Sequence, residues 1–281
     1  MTRLIALFAV LGLAVASPAR AAFDLLASLQ ARDFATLERE LGAVETRFEK
    51  GALDEYALLD AFRPLYMRED RVSADLDAWV QAYPKSYVAL LARGTYYRKL
   101  GELNRGTGYA ASVPDGALSY MDSAFARAEK DLVASLPLTP KPYLAVLNLM
   151  NIARYRSNLE AADTYLNQGN ALLAGNMLLR GRYQDLLKPR WGGSYERMQA
   201  FVDRSRKEGI GDANVGLLRA MIVDDQALVQ EESGDMPGAM QRFAEAVRLA
   251  QGASLRLQQD YIGNAVRACE AGVLQGVECP R

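Results

Sequence analysis

Three arginines and a group of aromatic residues carry the side chains best suited to binding chemistry. Arg93, Arg105 and Arg190 offer planar forks that match carboxylates. Tyr97, Tyr109, Tyr183 and Trp191 offer rigid contact area with a polar tip. Set around one concave groove, these side chains would hold a protein or peptide partner. The same residues also have a structural use, because elbows buried between helices need large anchors whatever the protein binds. Eleven of the 14 tyrosines fall between Tyr83 and Tyr195. They either line a groove or fill gaps between helices with their hydroxyls reaching the surface.

Enzyme chemistry finds few tools in this chain. It holds no histidine. That removes Ser-His-Asp and Cys-His nucleophiles, HExxH zinc sites and histidine pH switching together. There is no SxxK, no GxSxG elbow, no GxxxxGK phosphate loop and no GxGxxG. Gly106 and Gly108 are two apart, but no predicted strand precedes them as a phosphate cradle would require. Asp75 with Asp77, Asp224 with Asp225, and Glu231, Glu232 and Asp235 form small acidic clusters. Adjacent helical positions face different ways, so these are expected to be solvated faces rather than metal ligands. No metal or cofactor is expected. Glu232-Ser233 followed by Gly238-Ala239-Met240-Gln241 faintly resembles part of the catalytic region of all-α lytic envelope enzymes. The separation is much too short, and an acid at a surface turn lacks the burial that raises its pKa. A non-enzymatic interaction or scaffold module of unknown partner is therefore the expectation. The alternative is an envelope hydrolase acting on glycans through carboxylates alone. With 33 Lys+Arg against 34 Asp+Glu and a pI near 5.8, the chain lacks the basic excess of a nucleic-acid binder.

The elements that must position these residues read as helices. Apolar residues recur at three and four: Leu25, Leu26 and Leu29; then Phe34, Leu37, Leu41, Val44 and Phe48; then Tyr56, Leu59, Phe62 and Leu65. Ser73 is the expected cap of a helix carrying Leu76, Trp79 and Val80, which stops before Pro84. Ser86 is expected to cap the next, ending near Gly101. The stretch Asn104–Gly116 is the clearest loop. Helices are expected over 117–136, 143–155, 159–173, 177–187, 195–207, 213–232, 236–249 and 254–271. Pro189-Arg190-Trp191-Gly192-Gly193-Ser194 is a strong break. Strands are not required.

The first residues look like an address. Met1-Thr2-Arg3 is followed by a 13-residue apolar run, Leu4–Ala16, and then by Ala19 and Ala21 at the small positions of a cleavage site. The run is short for a membrane span, which needs about 20 residues. Residues 1–21 are therefore expected to be a signal peptide and 22–281 one exported domain, periplasmic or secreted and not membrane-spanning. Cys269 and Cys279 have nine residues between them, and in an oxidising compartment such a pair is expected to be a disulfide.

Successive helices suggest a repeat. Residues 220–253 fit the 34-residue tetratricopeptide pattern best, with Ala227, the turn Gly234-Asp235, and Ala239, Phe243 and Ala246. Residues 87–120 and 143–176 fit less well. Three strings resemble the bacterial family called domain of unknown function 4034. They are Trp79–Ser86 with Leu91–Gly94 and Tyr96-Tyr97, then Asn104–Ala110, and then Tyr183 with Leu186–Ser194, Met198 and Phe201. The resemblance spans about residues 25–250, and Pro-Arg-Trp-Gly-Gly-Ser is its most specific part. It implies a tetratricopeptide-like helical fold and no particular activity. The expected fold class is all-α, a tetratricopeptide-like solenoid of antiparallel helix pairs.

Overall fold

Short polar side chains set where many of the helices begin. Asp24, Asp33, Asp54, Ser86, Asn158, Ser194, Asp235 and Ser254 each accept a hydrogen bond from the backbone N–H three residues on. Each bond satisfies one of the amides that a helix start leaves open. The computed structural model describes residues 23–67, 70–106 and 113–280, and within them the chain forms fourteen α-helices and no strand. They are α1 (Leu25–Gln30), α2 (Phe34–Glu49), α3 (Glu55–Phe62), α4 (Asp70–Ala82), α5 (Tyr87–Arg105), α6 (Asp115–Ser135) and α7 (Tyr143–Tyr155). Then follow α8 (Leu159–Leu172), α9 (Leu178–Leu186), α10 (Tyr195–Lys207), α11 (Asp212–Glu232), α12 (Met236–Leu249), α13 (Leu255–Tyr261) and α14 (Gly263–Glu270). Prolines sit in the 3-10 turns Arg63–Leu65, Leu136–Leu138 and Pro189–Trp191. Among the described residues no helix is long and apolar enough to cross a membrane. The expected signal peptide lies outside the described residues.

Three expected boundaries move. α4 starts at Asp70, so Ser73 lies inside it. α5 passes through Gly101 and stops at Gly106, which has a φ of +75°. Gly101 instead lets α5 lie close on α6. A Cβ there would come within 2.8 Å of the Phe125 ring, and one at Gly94 within 2.7 Å of Leu132. The last expected helix is broken at Ile262 into α13 and α14.

α5 and α7 are the central helices. Every residue from Tyr143 to Ala153 is buried, as for a helix covered on all sides. α5 packs along α6 and touches α2, α4 and α7, while α7 touches α8 and α9. α11 and α12 pack along each other with α10 and α14 beside them. Ala227, Ala239 and Ala246 are fully buried there, Phe243 almost so, and Gly234 makes the turn with a φ of +87°. The small residues thus lie in the buried part of this helix pair.

Contacts distant in sequence join the two ends. The Glu55 carboxylate accepts from the Tyr143 hydroxyl and from the backbone N–H groups of Met177 at 2.7 Å and Leu178 at 3.3 Å. It thereby caps α9 from α3. The Tyr261 hydroxyl of α13 donates to the Met177 carbonyl at 3.0 Å. Arg256 donates both Nη groups to Asp60 at 2.6 and 2.7 Å. Cys269 and Cys279 are joined as a disulfide, with their Cα atoms 5.6 Å apart.

The Pro189–Ser194 string is a fixed corner. Gly192 ends the 3-10 turn with a φ of +85°, a conformation that favours glycine. A Cβ on Gly193 would stand 2.0 Å from the Leu187 carbonyl oxygen, and backbone cannot yield as a side-chain tip can. Ser194 then caps α10. Gly193→Ala is therefore expected to destabilise the fold by about 2–3 kcal/mol, as other clashes in packed regions do. That is a melting temperature lower by roughly 5–10 °C in a domain of this size. Gly175, where an added Cβ meets nothing within 4 Å, supplies the control: Gly175→Ala should melt as the wild type does.

Candidate functional site

Of the seven predicted binding residues, the structure brings two together around one cleft. Arg105 is the last residue of α5 and is buried. Trp191 lies in the 3-10 turn before α10. The Arg105 guanidinium stands 5.9 Å from the centre of the Trp191 ring and 5.8 Å from that of Tyr155, within the range of cation–π attraction. Arg154 stacks on the other aromatic, 4.8 Å from the centre of the Tyr155 ring. Leu118 and Met121 of α6, with Ser157, complete a cleft of about 130 Å³.

Local sequence explains the meeting point. Arg105 and Arg154 occupy the last turns of α5 and α7, where cations complement the negative end of the helix dipole. Gly106 turns the backbone away directly after Arg105, and Ser157, with a φ of +52°, does so three residues after Arg154. The two helix ends thus open beside the start of α6 and the Pro189–Trp191 turn.

Neighbouring carboxylates are already partnered. Glu102 accepts from Arg98 at 2.5 Å and from Lys99 at 2.8 Å. Burial pushes its carboxyl up, but those two cations outweigh burial and bring it down to about 2. The Tyr155 hydroxyl is hydrogen-bonded to Glu102, and burial with that carboxylate pushes the phenol up to about 12. Asp185 pairs with Lys188 at 2.8 Å. Burial works against its ionisation, yet Lys188, Arg154 and Arg182 hold it below the usual carboxylate range. Both acids are therefore ionised at neutral pH and already partnered. Arg154 keeps one buried donor, Nε, with no hydrogen-bond partner among the described residues.

The other predicted residues lie elsewhere. Arg93 donates Nε and Nη2 to Asp131, both at 2.7 Å, and Nη1 to Asp77 at 3.0 Å. Twelve residues separate it from Arg105 on α5. That is about 18 Å along the axis and about 120° around it at 3.6 residues per turn. Tyr97 is buried against Tyr96, with the Arg127 guanidinium 3.9 Å over its ring. Tyr183 packs on Phe201, ring centres 4.8 Å apart, beside a shallower cleft with Arg197 and Arg204. Arg190 pairs with buried Asp225, which also accepts from the Tyr195 hydroxyl at 3.2 Å. Tyr109 lies outside the described residues.

The acidic clusters divide. Glu231, Glu232 and Asp235 are exposed around the α11–α12 turn. Asp224 and Asp225, expected to be solvated, are both buried. Asp224 accepts from the Ala265 backbone N–H at 2.9 Å and the Asn264 side chain at 3.0 Å, and so secures the start of α14. Adjacent positions do face different ways, but a buried partner waits on each side. Among the described residues no group of three His, Cys, Asp or Glu side chains could hold a metal ion.

Arg154, Tyr155, Leu118 and Met121 were not singled out by sequence. The available signal was a basic–aromatic pair, Arg154-Tyr155, closing a helix just before a break. The cleft sets two guanidiniums beside the apolar side chains of Leu118 and Met121. No family model matches this chain, and neither a curated protein nor a solved structure matches it.

Proposed function

We propose that this chain is an exported, non-enzymatic interaction module that takes a protein or peptide at the Arg105–Arg154–Trp191 cleft. One observation carries the proposal: two arginines, two aromatic rings and two apolar side chains from four separate segments converge on one cleft. Arginine with tyrosine or tryptophan is the composition that dominates binding energy at protein interfaces. Export is proposed from the basic start, apolar run and small-residue cleavage site of residues 1–21, and the Cys269–Cys279 disulfide fits an oxidising compartment. A tetratricopeptide-like solenoid, and membership of the family called domain of unknown function 4034, are proposed on the repeat pattern and the three strings alone. The buried α11–α12 pair supports the first.

The test is a crosslinking pull-down from periplasmic extract with the mature chain, residues 22–281. Wild type is compared with a double variant, Arg154→Ala with Trp191→Ala, shown by circular dichroism to be folded. A partner captured by wild type and lost from the folded variant is the expected result. Capture that ignores the variant, or no capture at all, overturns the proposal. Arg93 and Arg190 are unsuited to this test. Removing them leaves Asp131 and Asp225 buried without their main cation, a change that costs several kcal/mol whatever the protein binds.

A further inference from the structure

We infer that residues 272–280 form a redox-held strap: the Cys269–Cys279 disulfide keeps this segment over an apolar trough beside α12 and α14, and a dithiol reductant releases it. The inference is independent of the cleft at Arg105 and Trp191. The strap begins just past the end of α14. Gly272 and Gly276, with φ of +70° and +66°, turn it back toward the helices, in conformations that favour glycine. Val273 then stands between two recesses and lines both, as does Met240 of α12. Ala244 belongs to one recess, and Met236, Phe243 and Ala268 of α14 to the other. Lifting Val273 away joins the two into one trough along α12.

Little besides the disulfide holds the strap down. The Val273 N–H donates to the Ala268 carbonyl at 3.3 Å. Beyond it, residues 274–280 make no hydrogen bond or ion pair among the described residues. Leu274 and Val277 are half-buried against the core, and Val273 is exposed. Ordering this irregular stretch costs more conformational entropy than two half-buried aliphatic side chains return. The crosslink shifts that balance, because it keeps the end of the segment close to α14 even when the contacts break. The helices under the strap have holds of their own. Asp224 of α11 accepts from the Ala265 N–H and the Asn264 side chain at the start of α14.

The sulfurs differ in access: Cys269 is buried and Cys279 half-buried. A thiolate of the reductant therefore attacks the Cys279 sulfur. The bond to Cys269 breaks, and Cys269 leaves as a thiolate and takes a proton. The second thiol of the reductant then closes the reductant's own disulfide and displaces Cys279, which takes a proton in turn. Two electrons and two protons pass from the dithiol to the protein.

The test compares the mature chain oxidised and after reduction by dithiothreitol, with circular dichroism recorded in both states. These are the only two cysteines, so reduction has a single target. Reduction should raise the fluorescence of an anilinonaphthalene sulfonate dye about 3-fold, because the dye reports exposed apolar surface. Cleavage by a Glu-specific protease at Glu270 or Glu278 should quicken about 10-fold, because it needs a locally opened chain. The helical signal should not change. Cys279→Ser should behave without dithiothreitol as the reduced wild type does. Equal dye binding and equal cleavage in both states would overturn the inference, since packing alone would then hold the segment. Faster cleavage without added dye would show that no trough is uncovered. Loss of helical signal on reduction would show that the disulfide secures the whole stack rather than a strap. The wild-type comparison decides the matter even if the variant does not fold.

Discussion

Glu55→Ala should lower the stability of this protein by about 4 kcal/mol, from a single surface-remote side chain. Glu55 sits in the first turn of α3, where an acid is already favourable to its own helix. Its carboxylate reaches across to the start of α9, 122 residues away, and accepts from Met177 N–H, Leu178 N–H and the Tyr143 hydroxyl. All are buried. Removing the acceptor strands up to three donors at about 1–3 kcal/mol each, partly relieved by local shifts, and deletes the cap of α9. Glu55→Gln keeps the shape but swaps one acceptor for a donor, and should lose about half as much. Urea unfolding followed by circular dichroism measures both. In thermal melts the Ala variant should fall by roughly 8–16 °C. A change under about 1 kcal/mol would mean that α9 is capped some other way.

The opposite sign is expected at Glu45. This residue lies on the inner face of α2 with both carboxyl oxygens buried and without hydrogen-bond partners. Burial, with Glu49 next on the same face, pushes its carboxyl up to about 8. The folded protein thus keeps a proton that the unfolded chain releases near 4.5. The favourable contribution is whole below pH 4.5 and is lost as pH rises to about 8. The span between those values corresponds to up to about 5 kcal/mol. Glu45→Gln, which is never charged, should match the wild type near pH 4.5 and exceed it by several kcal/mol at pH 8.5. The chain has no histidine, but burial also raises the carboxyls of Glu55 and Asp224. The difference between the wild-type and Glu45→Gln curves at half-unit pH steps therefore isolates this group, because the other carboxyls are common to both proteins. Parallel stability profiles for the two proteins would show that Glu45 ionises freely.

Local signals were the readable part of this fold. Ser86 caps the helix expected of it, and Ser194 and Asp235 cap helices that begin at the expected residues 195 and 236, because capping needs only residues three apart. Helices over 143–155, 195–207 and 236–249 keep their expected ends. Gly101 misled because a glycine that stops a helix and one that admits a neighbour look alike until Phe125 is placed beside it. Asp224 and Asp225 misled because exposure was inferred from charge, while their partners, Asn264 and Arg190, lie 40 and 35 residues away. The candidate site was legible in half. Arg105 and Trp191 announced themselves by type and by the glycines that follow them. Arg154 and Tyr155 did not, since only the meeting of α5 and α7 gives them a role. Arg93 was singled out for its binding chemistry, and that chemistry is used internally, on Asp131.

Tyr261 and Arg256, near the end of the chain, reach residues in its middle and near its start: Met177 and Asp60. In an open row of helix pairs each unit leans only on its neighbours, so the last unit frays first and offers proteases a foothold. Here α13 cannot detach without also releasing Met177, which Glu55 holds from the other side. Terminal and central helices share one buried knot, and a nick in the tail beyond it has no loose helix to unzip.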